Sequence, residues 1–239
     1  MVPCADPGGH VIALDFADVR GQAPAIEALI TAIAARERGV LFVAPPGAGG
    51  AMLARRVTTL FPPLSDHERV WLRAEVDGVQ GEYPQRITID ARPFRAPHYG
   101  SSISGIVGVR GHAGELHLAR FGALMLHEID EFLTEAVRRL GGELEQMFGA
   151  PFVIAIARPC PCGWHGFAPQ RCYCSELPRG AHVLRVQKMI QFLGITTTIN
   201  VPPQSLDELR NLPPGESSES LRARIEAMRA QGATKSAGE

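Results

Sequence analysis

The sequence has no dominant charge. Twenty-four lysines and arginines stand against 25 aspartates and glutamates, a formal net charge of -1, so nothing draws the molecule as a whole toward nucleic acid. Any such contact needs a local basic patch. Long apolar runs are also missing: none approaches the ~20 residues that cross a bilayer, and the opening MVPCADPGGHVIALDF is broken by proline and glycine, unlike a basic-then-apolar signal. A cytoplasmic protein without a membrane partner is the expectation. Cysteine is scarce except in one place. Of five, Cys4 stands apart and four fall between residues 160 and 174. In a reducing compartment such a cluster is more often a metal site than a pair of disulfides. With 45% hydrophobic and 21% charged residues, the composition is that of a folded globular chain and excludes a disordered one.

What is there reads as alternating strands and helices. After a leader over 1–14, DFADVRGQAPAIEALITAIAARERG gives a loop and then a helix, with Ile26, Leu29, Ile30 and Ile33 at helical spacing. VLFV (40–43) is a short apolar strand, PPGAGG a turn, and AMLARRVTTLF helical again. Ser65 or Asp66 starts another helix, and RITID (86–90) is a short hairpin strand. ALMLHEIDEF is a buried strand running into acids, EFLTEAVRRLGGELEQMF an amphipathic helix, FVIAIA (152–157) the next strand, and ITTTINV (195–201) another. SSESLRARIEAMRAQ is a final helix capped by Ser217 or Ser218. The alternation predicts an α/β fold with a mainly parallel sheet flanked by helices.

Strand, glycine-rich loop, helix is the skeleton of a phosphate-binding loop. Its working form, G-x-x-x-x-G-K-[ST], uses backbone N–H groups as a cradle, a lysine on the terminal phosphates and a hydroxyl on Mg²⁺. The run here is Ala44-Pro45-Pro46-Gly47-Ala48-Gly49-Gly50-Ala51. The lysine position holds Gly50 and the hydroxyl position Ala51. A second nucleotide signature, a strand ending in Asp-Glu, is represented by His127 and Glu128; a neutral imidazole is a poor ligand for Mg²⁺.

The segments APPGAGGAML, RPFRAPHYGSS, AGELHLARFGALMLHEIDEF and ARPCPCGWHG with CYC, followed by VPPQSLDEL and GESSESLRARIEAMR, resemble the text of the magnesium-chelatase-like AAA+ ATPase family, in its competence-protein (ComM/YifB) branch. The resemblance spans roughly 15–230. It implies an AAA+ P-loop core over 15–204, a linker and the start of a truncated helical lid over 205–239, and a hexameric ring formed with itself or with an active paralogue. It also implies a nucleotide site at Ala44, Pro46, Gly47, Ala48, Gly49, Gly50, Ala51, His127 and Arg158, with Glu128 as the remaining catalytic carboxylate. Arg158 stands where the family has a sensor asparagine. Removing one partner of a buried charged contact costs about 2–5 kcal/mol, and ~1.4 kcal/mol is tenfold. Losing the lysine and the metal ligands together implies a pseudo-ATPase with ATP and Mg²⁺ bound weakly or not at all, acting by binding a partner subunit or DNA. Two alternatives stand beside it: an active ATP-dependent DNA helicase or translocase, and a zinc-organised module binding nucleic acid or protein.

Cys160, Cys162, Cys172 and Cys174 form C-x-C…C-x-C with glycines to turn the chain between them, a set suited to a tetrahedral structural Zn²⁺; His165 is a substitute ligand, and reduced cysteines that simply pack the loop are the alternative. In the resembled family the stretch holding Arg92, Arg95, His98 and Arg110 faces the ring channel, which implies DNA contact. The competing reading pairs Arg92 and Arg95 with Asp90 or other acids.

Overall fold

A computed structural model describes residues 3–5, 11–78, 91–110 and 112–236. The expected strand at 86–90 and its Asp90 lie outside the described residues. Within the expected leader, β1 (Pro3–Ala5) pairs antiparallel with β2 (Val11–Ala13). The principal sheet holds β3 (Gly39–Val43), β4 (Phe94–Arg95), β5 (Ala123–His127), β6 (Phe152–Ala157) and β7 (Thr197–Asn200). Its order is β4-β5-β6-β3-β7, and every pairing is parallel.

The period-2 alternation of a strand divides each apolar run between two cores. Val40 and Phe42 of β3, Met125 of β5, and Ile154 and Ile156 of β6 face one side, where they meet α1 (Ala23–Ala34) and α2 (Gly50–Arg56). Leu41, Leu124, Leu126, Val153 and Ala155 face the other, packing on α6 (Thr134–Gln146) and α7 (Glu176–Phe192). Because both faces are covered, these strands are apolar at nearly every position. Gly141 permits the close approach of α6 and α7, since a Cβ there would fall 1.9 Å from the Phe192 carbonyl oxygen.

Sequence periodicity carries less information elsewhere. In α7 only Val186 and Met189 are buried, and Pro178 and Gly180 stand near its start, so no apolar stripe announces the helix. The long stretch before β5 contains β4, α4 (Ile103–Val107) and α5 (Glu115–Leu118), each too short to show a period. Helix α3 (Asp66–Gly78) begins with a capping box, Ser65 Oγ accepting from the Glu68 N–H at 3.3 Å while Glu68 accepts from the Ser65 N–H at 2.8 Å.

After α8 (Leu206–Asn211), helix α9 (Ser218–Ser236) packs along α1 with Leu221 and Ile225 buried. Ser217 caps it, accepting from the Ser220 N–H at 3.3 Å. The hydroxyl of Ser218 accepts from the Phe16 N–H at 3.0 Å and lies 2.8 Å from the Thr59 hydroxyl, and the Ser218 N–H donates to Asp15 at 3.0 Å. Among the described residues no helix is long and apolar enough to cross a membrane.

Candidate functional site

All five strands of the principal sheet point the same way, so the loops leaving their C-terminal ends gather on one rim, the usual place for a ligand in an open parallel sheet. Three of them build the site: 44–51 after β3, 127–131 after β5, and 158–174 after β6.

The first loop turns on two glycines. Gly47 and Gly49 take φ of +77° and +97°, left-handed conformations that favour glycine. The Ala44 N–H donates to the Ala157 carbonyl at 3.0 Å, fixing the loop to β6. Gln22, buried just before α1, donates through Nε2 to the Ala48 carbonyl at 3.2 Å and to the Pro202 carbonyl at 2.7 Å; its Oε1 is buried without a partner. Gln22 went unread in the sequence because only its left-handed turn before α1 brings it to the loop.

What the cradle encloses is apolar. A cavity of about 400 Å³ is walled by the loop, Met52 and Ile156, with His127, Glu128 and Arg158 at the strand ends. Gly50 is buried at the first turn of α2, and a Cβ built there would lie 3.2 Å from the Ala44 methyl and 3.6 Å from Ile156 Cγ2. The Ala44 methyl thus sits in tight contact with the Cβ position of residue 50. The residues lining the cavity include no lysine and no hydroxyl.

Its guanidinium is already engaged. Arg158 donates from NH2 to Asp130 at 3.0 Å and to Glu131 at 2.6 Å. Burial works against this guanidinium, but Asp130, Glu131 and the nearby Glu128 outweigh it and hold its pKa above the ordinary arginine value. The Asp130 carboxylate is 4% exposed, with Oδ1 unpartnered and the His182 ring 3.7 Å from Oδ2. Arg185 donates to the Asp130 carbonyl at 2.6 Å, and His182 Nε2 lies 2.8 Å from the Arg158 carbonyl oxygen. Three carboxylates therefore surround one guanidinium. Asp130, His182 and Arg185 escaped the sequence reading. HEIDEF presents three acids in a row of six, and only folding shows which one is buried.

His127 is exposed at the end of β5, and Glu128 adopts a left-handed φ of 57°.

The four cysteines converge. Sγ–Sγ separations are 3.4 Å for Cys160–Cys162 and 3.7 Å for both Cys160–Cys172 and Cys162–Cys172, and all four sulfurs lie within 4.8 Å of one another. Four thiolates at ~2.3 Å from one Zn²⁺ stand about 3.8 Å apart, so the set fits such an ion. His165 approaches only with its backbone N–H, which donates to Cys160 Sγ at 3.3 Å. The Tyr173 and Trp164 N–H groups bring Cys162 down to about 6. The Cys162 N–H favours the Cys174 thiolate, but burial and the neighbouring thiols push Cys174 up to about 12. Crowded sulfurs that resist joint ionisation are the arrangement a divalent cation relieves.

Of the basic residues, Arg92 donates to the Pro62 and Phe121 carbonyls at 2.6 Å each and pairs with Glu68 at 3.1 Å. Arg95 makes a fork to Glu115 at 2.5 and 2.7 Å. Among the described residues their acidic partners are Glu68 and Glu115. His98 and Tyr99 stack with centroids 4.0 Å apart and are exposed. Arg110 is exposed in a tight turn closed by Val109 and His112.

A five-stranded parallel sheet with a glycine-rich strand-to-helix loop at its rim defines an AAA-like α/β fold of the P-loop class. More narrowly, the chain belongs to the magnesium chelatase family: the pattern of "Magnesium chelatase, subunit ChlI" matches residues 15–204. Competence protein ComM of Haemophilus influenzae is 32% identical over 228 residues, 89% of this chain and 44% of its own length. YifB of Escherichia coli is 31% identical over 233 residues, 90% of this chain and 45% of its own. The chain thus spans less than half the length of the curated relatives it matches. Among solved structures, NtrX from Brucella abortus in complex with ADP superposes with a TM-score of 0.43 and 14% identity over 77% of this chain and 37% of that one.

Proposed function

We propose that this chain is a magnesium-chelatase-type AAA+ module that keeps the phosphate-loop architecture without turning over ATP, and acts by binding. The observation that carries the reading is Gly50, packed against the Ala44 methyl where an active loop needs the lysine that contacts the terminal phosphates. Mg²⁺ does not fit the residues present: Ala51 has no hydroxyl, and His127 offers an imidazole to a cation that prefers oxygen. Three carboxylates around Arg158 further oppose a γ-phosphate. Residues 15–204 serve as the core, and 205–239 as a linker followed by the helix docked on α1. A reducing, cytoplasmic setting suits the free thiols.

The test is phosphate release from Mg-ATP together with titration of a fluorescent ATP analogue. Turnover indistinguishable from a no-protein control supports the reading; turnover well above background sinks it in favour of an active translocase.

In the same reading Cys160, Cys162, Cys172 and Cys174 hold a structural Zn²⁺ with no open coordination position, so the metal supplies stiffness and no catalysis. A specific observation also favours nucleic acid as a partner. Arg110 and the stacked His98–Tyr99 pair are exposed on the segments before β5, offering charge and ring faces to a strand. Arg92 and Arg95 are bound internally and contribute to shape instead. The name of the ComM relative, a competence protein, agrees with a role near DNA. The chain would assemble into a ring with itself or with an active paralogue, and only the paralogue would supply the chemistry this copy lacks.

A further inference from the structure

The metal loop and the phosphate loop leave different strands, yet they touch at one tightly built point. Gly163 directly follows the Cys160–Cys162 pair and takes a φ of +88°. A Cβ there would fall 2.7 Å from Pro46 Cδ and 3.9 Å from Arg158 Cδ, so only glycine lets the knuckle lie against the phosphate loop. The Gly163 N–H donates to the Cys160 carbonyl at 2.9 Å, tying this contact to a fully buried cysteine. Arg158 NH1 reaches the Pro161 carbonyl at 3.4 Å, and the Arg158 carbonyl oxygen is 2.8 Å from His182 Nε2. Residues 158–163 thus form a bracket with one end in the cysteine cage and the other on both the proline wall and the guanidinium of the nucleotide cavity.

We propose that metal in the four-cysteine cage sets the order of the phosphate loop through the Gly163–Pro46 contact, so that the cage is a regulatory site for whatever the cavity binds. The inference rests on the reading of the cysteines as a metal site and goes beyond it, because a purely local structural metal has no effect at residues 44–51. Without the ion, Cys160 and Cys162 are held to Cys172 and Cys174 by sulfur–sulfur contacts and by the Cys162 N–H bond to Cys174 Sγ at 3.4 Å, none of them as strong as a shared metal. The knuckle is then free to withdraw, and Pro46 loses the surface it packs on. Coupling of this kind is reciprocal: a ligand that orders the loop tightens metal binding by the same factor.

Hydrogen exchange measured by mass spectrometry on the full chain, zinc-loaded and chelator-stripped under reducing conditions, tests this without any activity assay. Zinc removal is expected to speed exchange about tenfold or more in peptides covering 44–51 and 158–163, leaving α4 unchanged. Pro46→Ala, which removes the contact while leaving the cage intact, should bind one equivalent of zinc with 44–51 already fast and now indifferent to the metal. Gly163→Ala should reproduce that state by pushing the loops apart. Stoichiometric zinc uptake with 44–51 exchanging at the same rate in both forms overturns the coupling while sparing the metal site. Failure to take up zinc overturns both.

Discussion

Gly50 and Ala44 are best understood as one change. The Ala44 methyl lies 3.2 Å from the Cβ position of residue 50, so a lysine there needs Ala44 to yield by a few tenths of an ångström. Gly50→Lys alone is expected to destabilise the chain by about 1–3 kcal/mol through overpacking without creating nucleotide affinity. Adding Ala44→Gly should recover most of that loss and allow nucleotide binding; thermal melts with and without nucleotide check both halves. Arg158 carries a different prediction. Its removal takes the guanidinium partner from the buried Asp130 and leaves it the His182 ring at 3.7 Å, so Arg158→Ala should cost about 2–5 kcal/mol. Asp130→Asn in the same chain should return a good part of it, read from urea unfolding as a double-mutant cycle. If Arg158 were a free sensor of phosphate, the single variant would instead be near neutral in stability.

The clearest prediction for an element concerns the docking of α9. Asp15 accepts N–H bonds from Ala17 at 2.8 Å and from Ser218 at 3.0 Å. Burial alone would raise its pKa, but those bonds and the charge of Arg222 outweigh it and bring the carboxyl below its ordinary value. A depressed carboxylate stabilises the fold above its unfolded pKa near 3.8, and that contribution fades as pH falls through the lower folded value. Asp15→Ala should therefore cost about 1 kcal/mol at pH 7, with the gap to the parent closing below about pH 4; denaturant melts across pH measure it. Legibility from sequence also varied element by element. β3, β5 and β6 were readable because burial on both faces leaves an unbroken apolar run, and α6 because one stripe is buried. Helix α7 hid because its packing uses few residues and its exposed Leu177 and Leu184 break the usual contrast. Within the site, the glycines and cysteines were visible as motifs. Gln22, Asp130 and His182 join the candidate site only through distant contacts, which no local pattern encodes.

At the scale of the whole molecule, the cysteine cage closes the single loop between β6 and α7 on itself across residues 160–174, so the ion should contribute to stability as well as local order. Zinc removal is expected to lower the melting temperature, and Cys172→Ser should match the stripped parent, with metal content near one ion per chain measured in reducing buffer. For nucleic acid, Arg110→Ala should weaken single-strand binding and flatten its salt dependence by about one unit of slope, whereas Arg95→Ala should act mainly on stability, since Arg95 is held by Glu115. The parallel sheet carries one more consequence. All three loops of the site hang from strand ends on a single rim, while the packed interior lies behind them. His127 stands exposed on that rim, whereas Gly50 is buried against Ala44 and Ile156, so the rim tolerates change at its outer positions more readily than at the turn into α2. On the proposed reading, one chemistry can be missing at that rim and a loop there keep another use while the scaffold stands unchanged.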